Sequence, residues 1–135
     1  MSEDSKKTKV RDYMHGDIAS VSVETTIREA SQVMIEKGVG ALLVKEGENY
    51  IGIISETRLS REGVAKGLNV ENTSVRSIMR GELITVECDQ SVTEAREIMK
   101  ANGVRHLIVK ENNEIVGIIT LSDLIRYYSD FFESE

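Results

Sequence analysis

Apolar residues along the chain follow two rhythms in turn, and the whole succession then starts again. Ile27, Ala30, Val33 and Met34 recur at the spacing of one helix face, as do Val92, Ala95, Ile98 and Met99 further on. Each helical stretch opens on a Ser/Thr-x-x-Glu pair, Thr26 with Glu29 and Ser91 with Glu94, whose side chains satisfy orphan amides at a helix start. Each closes on a glycine, Gly38 or Gly103, suited to the left-handed residue that ends a helix. The rhythm then changes to short runs rich in branched residues: Ala41–Val44 and Ile51–Ile54 in the first succession, Leu107–Val109 and Ile115–Ile119 in the second. E-G-E-N and E-N-N-E lie between the paired runs and supply turns, since Gly and Asn tolerate positive φ. Shorter strands are expected at Ser20–Val23 and Ile84–Val86, and further helices begin near Thr57 and Ser122.

The pattern therefore reads β-α-β-β-α twice. Sliding the chain by about 65 positions aligns 10–59 with 75–124 without a gap, and about 18 of the 50 pairs are identical. V-R-D-Y-M-H-G falls on V-R-S-I-M-R-G, and G-V-G-A-L-L-V-K-E on G-V-R-H-L-I-V-K-E. One copy is too short to bury a comfortable share of its own surface. The expected fold is a mixed α/β (α+β) chain of two tandem repeats packed through their sheets by a pseudo-twofold. The strands lack clean apolar/polar alternation, as strands covered on both faces do. The expected division is a flexible tail over 1–9, a first domain over 10–69, and a second over 70–135 with its C-terminal helix.

At one aligned place the copies part sharply. G-I-I-T-L-S-D-L, from Gly117, carries Asp123 where G-I-I-S-E-T-R-L, from Gly52, carries Arg58. Thr120 and Asp123 could be no more than a capping pair, since an acid in the first turn suits the helix dipole. Arg58, however, puts a cation in the first turn of the equivalent helix, where that dipole disfavours it.

Composition narrows the field. In 135 residues, 40% hydrophobic, a net charge of −6 argues against a nucleic-acid surface. No apolar run approaches a membrane span, so a cytoplasmic protein is expected. The single cysteine, Cys88, cannot form an internal disulfide and reads as a small core residue. His15 and His106 are far apart and no Cys/His/carboxylate set has metal-ligand spacing, so no metal is expected. No Ser, Cys or Lys stands in a nucleophile motif, so the chain is not expected to be an enzyme. Four of the six aromatic residues crowd the last helix, where Leu124, Tyr127, Tyr128, Phe131 and Phe132 would form one broad stripe. That stripe either closes the chain's own core or forms an interface, and a homodimer is the expectation.

G-V-x-x-L-h-V followed by a turn and G-I-I-T-x-x-D-L resembles the cystathionine β-synthase (CBS) domain, and the doubled pattern resembles the CBS pair known as a Bateman module. The resemblance runs from about Val10 to about Tyr128; the chain departs from the family in having no proline. It implies a non-catalytic sensor that binds an adenosine-containing ligand (AMP, ADP, ATP or S-adenosylmethionine) in clefts between the repeats and signals to an effector protein. Asp123 would then offer paired acceptor oxygens to the vicinal ribose hydroxyls, with Thr120 beside it. Arg105 and His106 would reach phosphate, a task for which the planar guanidinium is suited. Ile84 and Val104, with Ala19 by pseudo-symmetry, would contact adenine. In the other cleft, marked by Ser55 and Arg58, Arg58 either meets a phosphate or forms a salt bridge that leaves the cleft empty, and an empty or altered site is expected. The alternative is a structural or assembly protein with vestigial clefts that acts through dimer interfaces.

Overall fold

The computed structural model describes residues 7–133. The tail expected over 1–9 lies outside the described residues as far as Lys6. Thr8 and Lys9 are held at the start of a helix: the Thr8 carbonyl accepts from Val92 N at 2.9 Å, and Lys9 bridges to Ser91.

Both rhythms fold as their local signals direct. Strand β1 (Ser20–Ser22) precedes helix α1 (Ile27–Lys37), followed by β2 (Ala41–Glu46) and β3 (Asn49–Ser55). Helix α2 is a single turn, Glu56–Arg58, that widens into a π-helical turn over Leu59–Val64. The second succession repeats the order with β4 (Thr85–Glu87), α3 (Val92–Asn102), β5 (His106–Glu111), β6 (Glu114–Thr120) and a longer α4 (Leu121–Glu133). The capping boxes at Thr26/Glu29 and Ser91/Glu94 are both closed. Their hydrogen bonds hold the two glutamates below the usual carboxylate range. Gly38 and Gly103 end the helices at φ 64° and 63°.

The strands form two three-stranded sheets, in the orders β1-β2-β3 and β4-β5-β6. In each, the first strand lies parallel to the second and the second antiparallel to the third. Each sheet carries a register shift at the same aligned place, Val44/Lys45 and Val109/Lys110. Residues 41–44 and 107–109 are buried without a break, so neither face of β2 or β5 presents its centre to water.

By packing, the chain divides into two compact units. The first is Ile18–Leu83; the second joins the residues through Asp17 to those from Ile84 onward. The stretch from Val10, which opens the first repeat in sequence, thus folds onto the second. Val10 and Tyr13 are buried with Val86, Val92, Ala95, Met99, Leu107 and Ile119. A 3-10 turn over Val10–Asp12 is fixed there by bonds from Val10 N to Gln90 O and from Arg11 N to Cys88 O, at 2.8 and 3.0 Å. In the first unit the aligned residues Val75 and Ile78 fill the same place among Ile27, Ala30, Leu42, Val44 and Ile54.

The glycine that opens each G-I-I motif is explained by this docking. A Cβ at Gly117 would lie 2.6 Å from the His15 carbonyl oxygen, and one at Gly52 would lie 2.7 Å from that of Arg80. In both units backbone pairs cross at this point, His15 with Ile118 and Arg80 with Ile53. Only a residue without a side chain lets the leading segment approach so closely.

Candidate functional site

The second unit gathers its candidate residues at one end of its sheet. β5 begins at His106, which lies opposite Thr120, the last residue of β6. The Ile84 carbonyl accepts from Ile108 N at 2.9 Å, and the Arg105 carbonyl accepts from Leu121 N at 2.9 Å. Ile84 and Val104 are partly buried against the core of that unit, Arg105 is exposed and His106 is half-buried. Ala19, Ser55 and Arg58 belong to the first unit.

Asp123 is the buried charged residue at this end, 3% exposed at the foot of α4. Its Oδ2 accepts from the Thr120 backbone N–H at 2.8 Å and from the Thr120 hydroxyl at 3.0 Å. The Asp123 N–H donates back to Thr120 Oγ1 at 3.3 Å. The capping alternative for this pair is therefore realised. It leaves Oδ1 for another partner, which is the ring of His15: Nε2 stands 2.7 Å away. An ionised carboxylate only accepts, so Nε2 carries the hydrogen. The Arg126 guanidinium lies 3.7 Å from the same oxygen and donates to the Tyr13 carbonyl at 2.8 Å while lying over the Tyr13 ring. Tyr13 in turn donates its hydroxyl to Asp130 at 3.0 Å and meets Tyr127 edge-on. Burial, with that bond to Asp130, pushes the Tyr13 phenol up to about 12.

Sequence reasoning named Thr120 and Asp123 as candidates but did not place His15, Tyr13 and Arg126 around them. A signal was present. The alignment that sets Asp123 against Arg58 also sets His15 against Arg80, so two positions that touch in the second unit change together. Arg58 has its own employment. Its Nε donates to the Ile78 carbonyl at 2.5 Å, and Ser55 Oγ accepts from Arg58 N at 3.2 Å. Ile78 aligns with Tyr13, whose carbonyl is bonded by Arg126. Each unit thus ties the carbonyl at that place to an arginine of its last helix, Arg58 from the first turn and Arg126 one turn later. This exchange of anchors accounts for Arg58 and leaves the carboxylate at Asp123 to be explained, since Arg61 aligns with Arg126 and both copies keep an arginine there.

The other residues singled out in the sequence divide between core and surface. Cys88 is buried, and its thiol is pushed up by burial and by the neighbouring Glu111. Leu124 is buried and Tyr127 and Tyr128 pack on the core, whereas Phe131 and Phe132 are 51% and 69% exposed. The aromatic stripe therefore divides along α4, its first part closing the core and its end facing outward. In the first unit an open groove of about 570 Å³ runs between α1 and the π-helical turn, lined by Met34, Ile35, Val39, Leu59 and Val64. Among the described residues no set of three His, Cys, Asp or Glu is placed to hold a metal ion, and no helix is long and apolar enough to cross a membrane.

The doubled β-α-β-β-α unit and its G-I-I-S/T motif define a pair of CBS domains. The family model "CBS domain" matches residues 10–64 and again 75–130, and the chain belongs to that family. CBS domain pairs are regulatory modules rather than catalytic ones. The chain is 34% identical over 123 residues to an uncharacterized protein of Methanopyrus kandleri, an alignment covering 90% of this chain and 63% of that protein's length. Among solved structures it is similar to a candidate signal-transduction protein with CBS domains from Burkholderia ambifaria, at 32% identity and TM-score 0.80, covering 84% of this chain and 83% of the other. It also shares its fold with a CBS domain pair solved in complex with 5′-methylthioadenosine and S-adenosyl-L-methionine, at 21% identity and TM-score 0.80, covering 92% and 98%.

Proposed function

We propose that this chain is a sensor whose second repeat takes an adenosine-containing ligand (AMP, ADP, ATP or S-adenosylmethionine) and passes its occupancy to a separate effector protein in the cytoplasm. The observation that carries this reading is the asymmetry at one aligned position. Asp123 is a buried carboxylate at the end of the sheet where Arg105 and His106 also lie, while Arg58 in the first unit is committed to the Ile78 carbonyl. A carboxylate is the side chain that meets two vicinal hydroxyls with two acceptor oxygens. Arg105, exposed at the same end of the sheet, is suited to a phosphate or carboxylate on the ligand. Ile84 and Val104 supply apolar contact for a base, and Ala19 is the counterpart of Ile84 in the first unit. The ligands of the similar CBS pair, both adenosine derivatives, support the ligand class. Signalling requires only that the ligand prefer one of two conformations, a coupling typically worth about 1–3 kcal/mol.

A thermal-shift screen with AMP, ADP, ATP, S-adenosylmethionine and NADH tests the reading. A ligand in hundredfold excess over its Kd stabilises the folded chain by about 2.7 kcal/mol, a rise of several degrees. No movement with any of the five at millimolar concentration would contradict the sensor.

A second reading, an assembly protein acting through dimer interfaces, is favoured by exposed apolar side chains: Ile35 and Val64 in the first unit, Ile125 and Phe132 on α4. Exposed apolar residues gathered on helices mark surfaces that other proteins cover. Both readings include a homodimer, so sedimentation at micromolar concentration is expected to show twice the mass of one chain, and Phe132→Glu is expected to shift it toward the monomer. A monomeric parent protein would contradict the dimer.

A further inference from the structure

Three donors of the protein itself engage the Asp123 carboxylate: the Thr120 N–H, the Thr120 hydroxyl and the His15 ring. A carboxylate offers about four lone-pair sites, so two incoming hydroxyls cannot both be accepted unless one of these leaves. The three differ in how easily they leave. The Thr120 N–H is backbone at the mouth of α4, and releasing it opens the capping box. The Thr120 hydroxyl is the reciprocal half of that box, accepting from Asp123 N. Arg126, near Oδ1, is pinned by the Tyr13 carbonyl and ring. The His15 side chain is 54% exposed, and its backbone is locked independently by the paired bonds with Ile118 at 2.9 and 3.0 Å. Its ring can therefore swing into water by side-chain torsion alone, with no change in the sheet.

We infer that His15 is an internal competitor for the ribose site, a latch on Asp123 Oδ1 that a vicinal diol displaces when it binds. The inference rests on the reading of Asp123 as the diol acceptor and adds the regulation of that site. The latch keeps a buried carboxylate satisfied when no ligand is present, which a buried charge requires. It also sets the affinity, because binding is weakened by the fraction of molecules in which the latch is closed. The first unit has no such arrangement: Arg80 and Arg58 stand at the two aligned positions, and Arg80 reaches toward Glu82 at 3.9 Å. The latch lies three residues before the chain passes into the first unit at Ile18.

The test measures AMP affinity by calorimetry for the parent chain, His15→Ala, His15→Gln and Asp123→Asn, and follows the His15 ring by NMR during an AMP titration. His15→Ala is expected to bind AMP roughly 3- to 10-fold more tightly and His15→Gln, which keeps a donor at similar reach, to fall between it and the parent. The ring signal of His15 is expected to move to the position of a solvated imidazole on saturation. Binding by His15→Ala alone, with none detected for the parent, would support the latch most strongly. If Asp123→Asn abolishes binding but His15→Ala binds no more tightly than the parent, the latch is overturned and the ribose site stands. If no variant binds AMP, ATP or S-adenosylmethionine, or if Asp123→Asn binds as the parent does, the ribose site fails and the latch with it.

Discussion

Gly117→Ala is expected to be among the most damaging small substitutions in the chain, destabilising it by about 1–3 kcal/mol and lowering its thermal midpoint by several degrees. The added methyl would stand 2.6 Å from the His15 carbonyl oxygen and 3.0 Å from Met14 Sδ. The sulfur is the end of a flexible side chain and can move. The carbonyl belongs to a backbone pair with Ile118 and cannot move without breaking both bonds. Gly52→Ala is expected to act likewise in the first unit, against Arg80 O and Met79 Sδ, both at 2.7 Å. Gly16 and Gly81, also aligned with each other, provide the contrast. A methyl at Gly16 meets only Val116 O at 3.9 Å, and one at Gly81 meets nothing within 4 Å, so both alanine variants are expected to unfold near the parent midpoint. Urea denaturation of the four variants measures the difference. Equal midpoints for Gly117→Ala and Gly16→Ala would show that the close approach does not constrain the fold.

Asp123→Ala is expected to weaken any adenosine ligand by about 100-fold or more, while Arg58→Ala leaves binding unchanged. A carboxylate accepting from two hydroxyls makes charge-assisted bonds of roughly 1.5–3 kcal/mol each, and 1.4 kcal/mol is a tenfold change. The same substitution leaves the Thr120 N–H and the His15 ring without their acceptor, at a stability cost of about 1–3 kcal/mol. Affinity must therefore be measured well below the midpoint of the variant, with Asp123→Asn as the variant that preserves shape. Arg58→Ala removes the bond to the Ile78 carbonyl and is expected to cost about 1 kcal/mol of stability and no affinity. Equal losses of affinity from the two substitutions would contradict a one-sided site.

What the sequence disclosed was whatever is decided locally. The capping boxes, the glycine helix ends and the paired strands are each specified by residues within one turn or one hairpin; β2, β3, β5 and β6 extend a residue or two beyond their apolar runs, while β1 stops one residue short of Val23 and β4 starts one residue after Ile84. Asn112 and Asn113, both at positive φ, make the hairpin turn that E-N-N-E suggests. The π-helical turn over Leu59–Val64 was not legible. Its wider backbone passes buried Gly63 against the Ile27 side chain, a tertiary contact no local pattern announces. Nor could the repeat say where each leading segment docks. Aligning V-R-D-Y-M with V-R-S-I-M establishes that the two segments have equivalent tasks, but not which core each completes. For the same reason His15 was invisible as a neighbour of Asp123: the two lie far apart in sequence, and the strand that joins them, β6, reaches the leading segment only through the second unit's own assembly. Arg58 was legible as an anomaly in a first turn. Its partner, the Ile78 carbonyl, lies twenty residues further along the chain and meets it only in the folded unit.

The seating of Val10 and Tyr13 among residues that follow Ile84 bears on how the chain is made. On the ribosome, Ile18–Leu83 emerges as one continuous stretch that already contains Val75 and Ile78, so that half can close as soon as its last residues are clear. The segment around Val10 and Tyr13 has to wait, both side chains in water, until the residues from Val86 to Leu124 that bury them have been synthesised. Val10 and Tyr13 are thus buried later than residues that follow them in the chain.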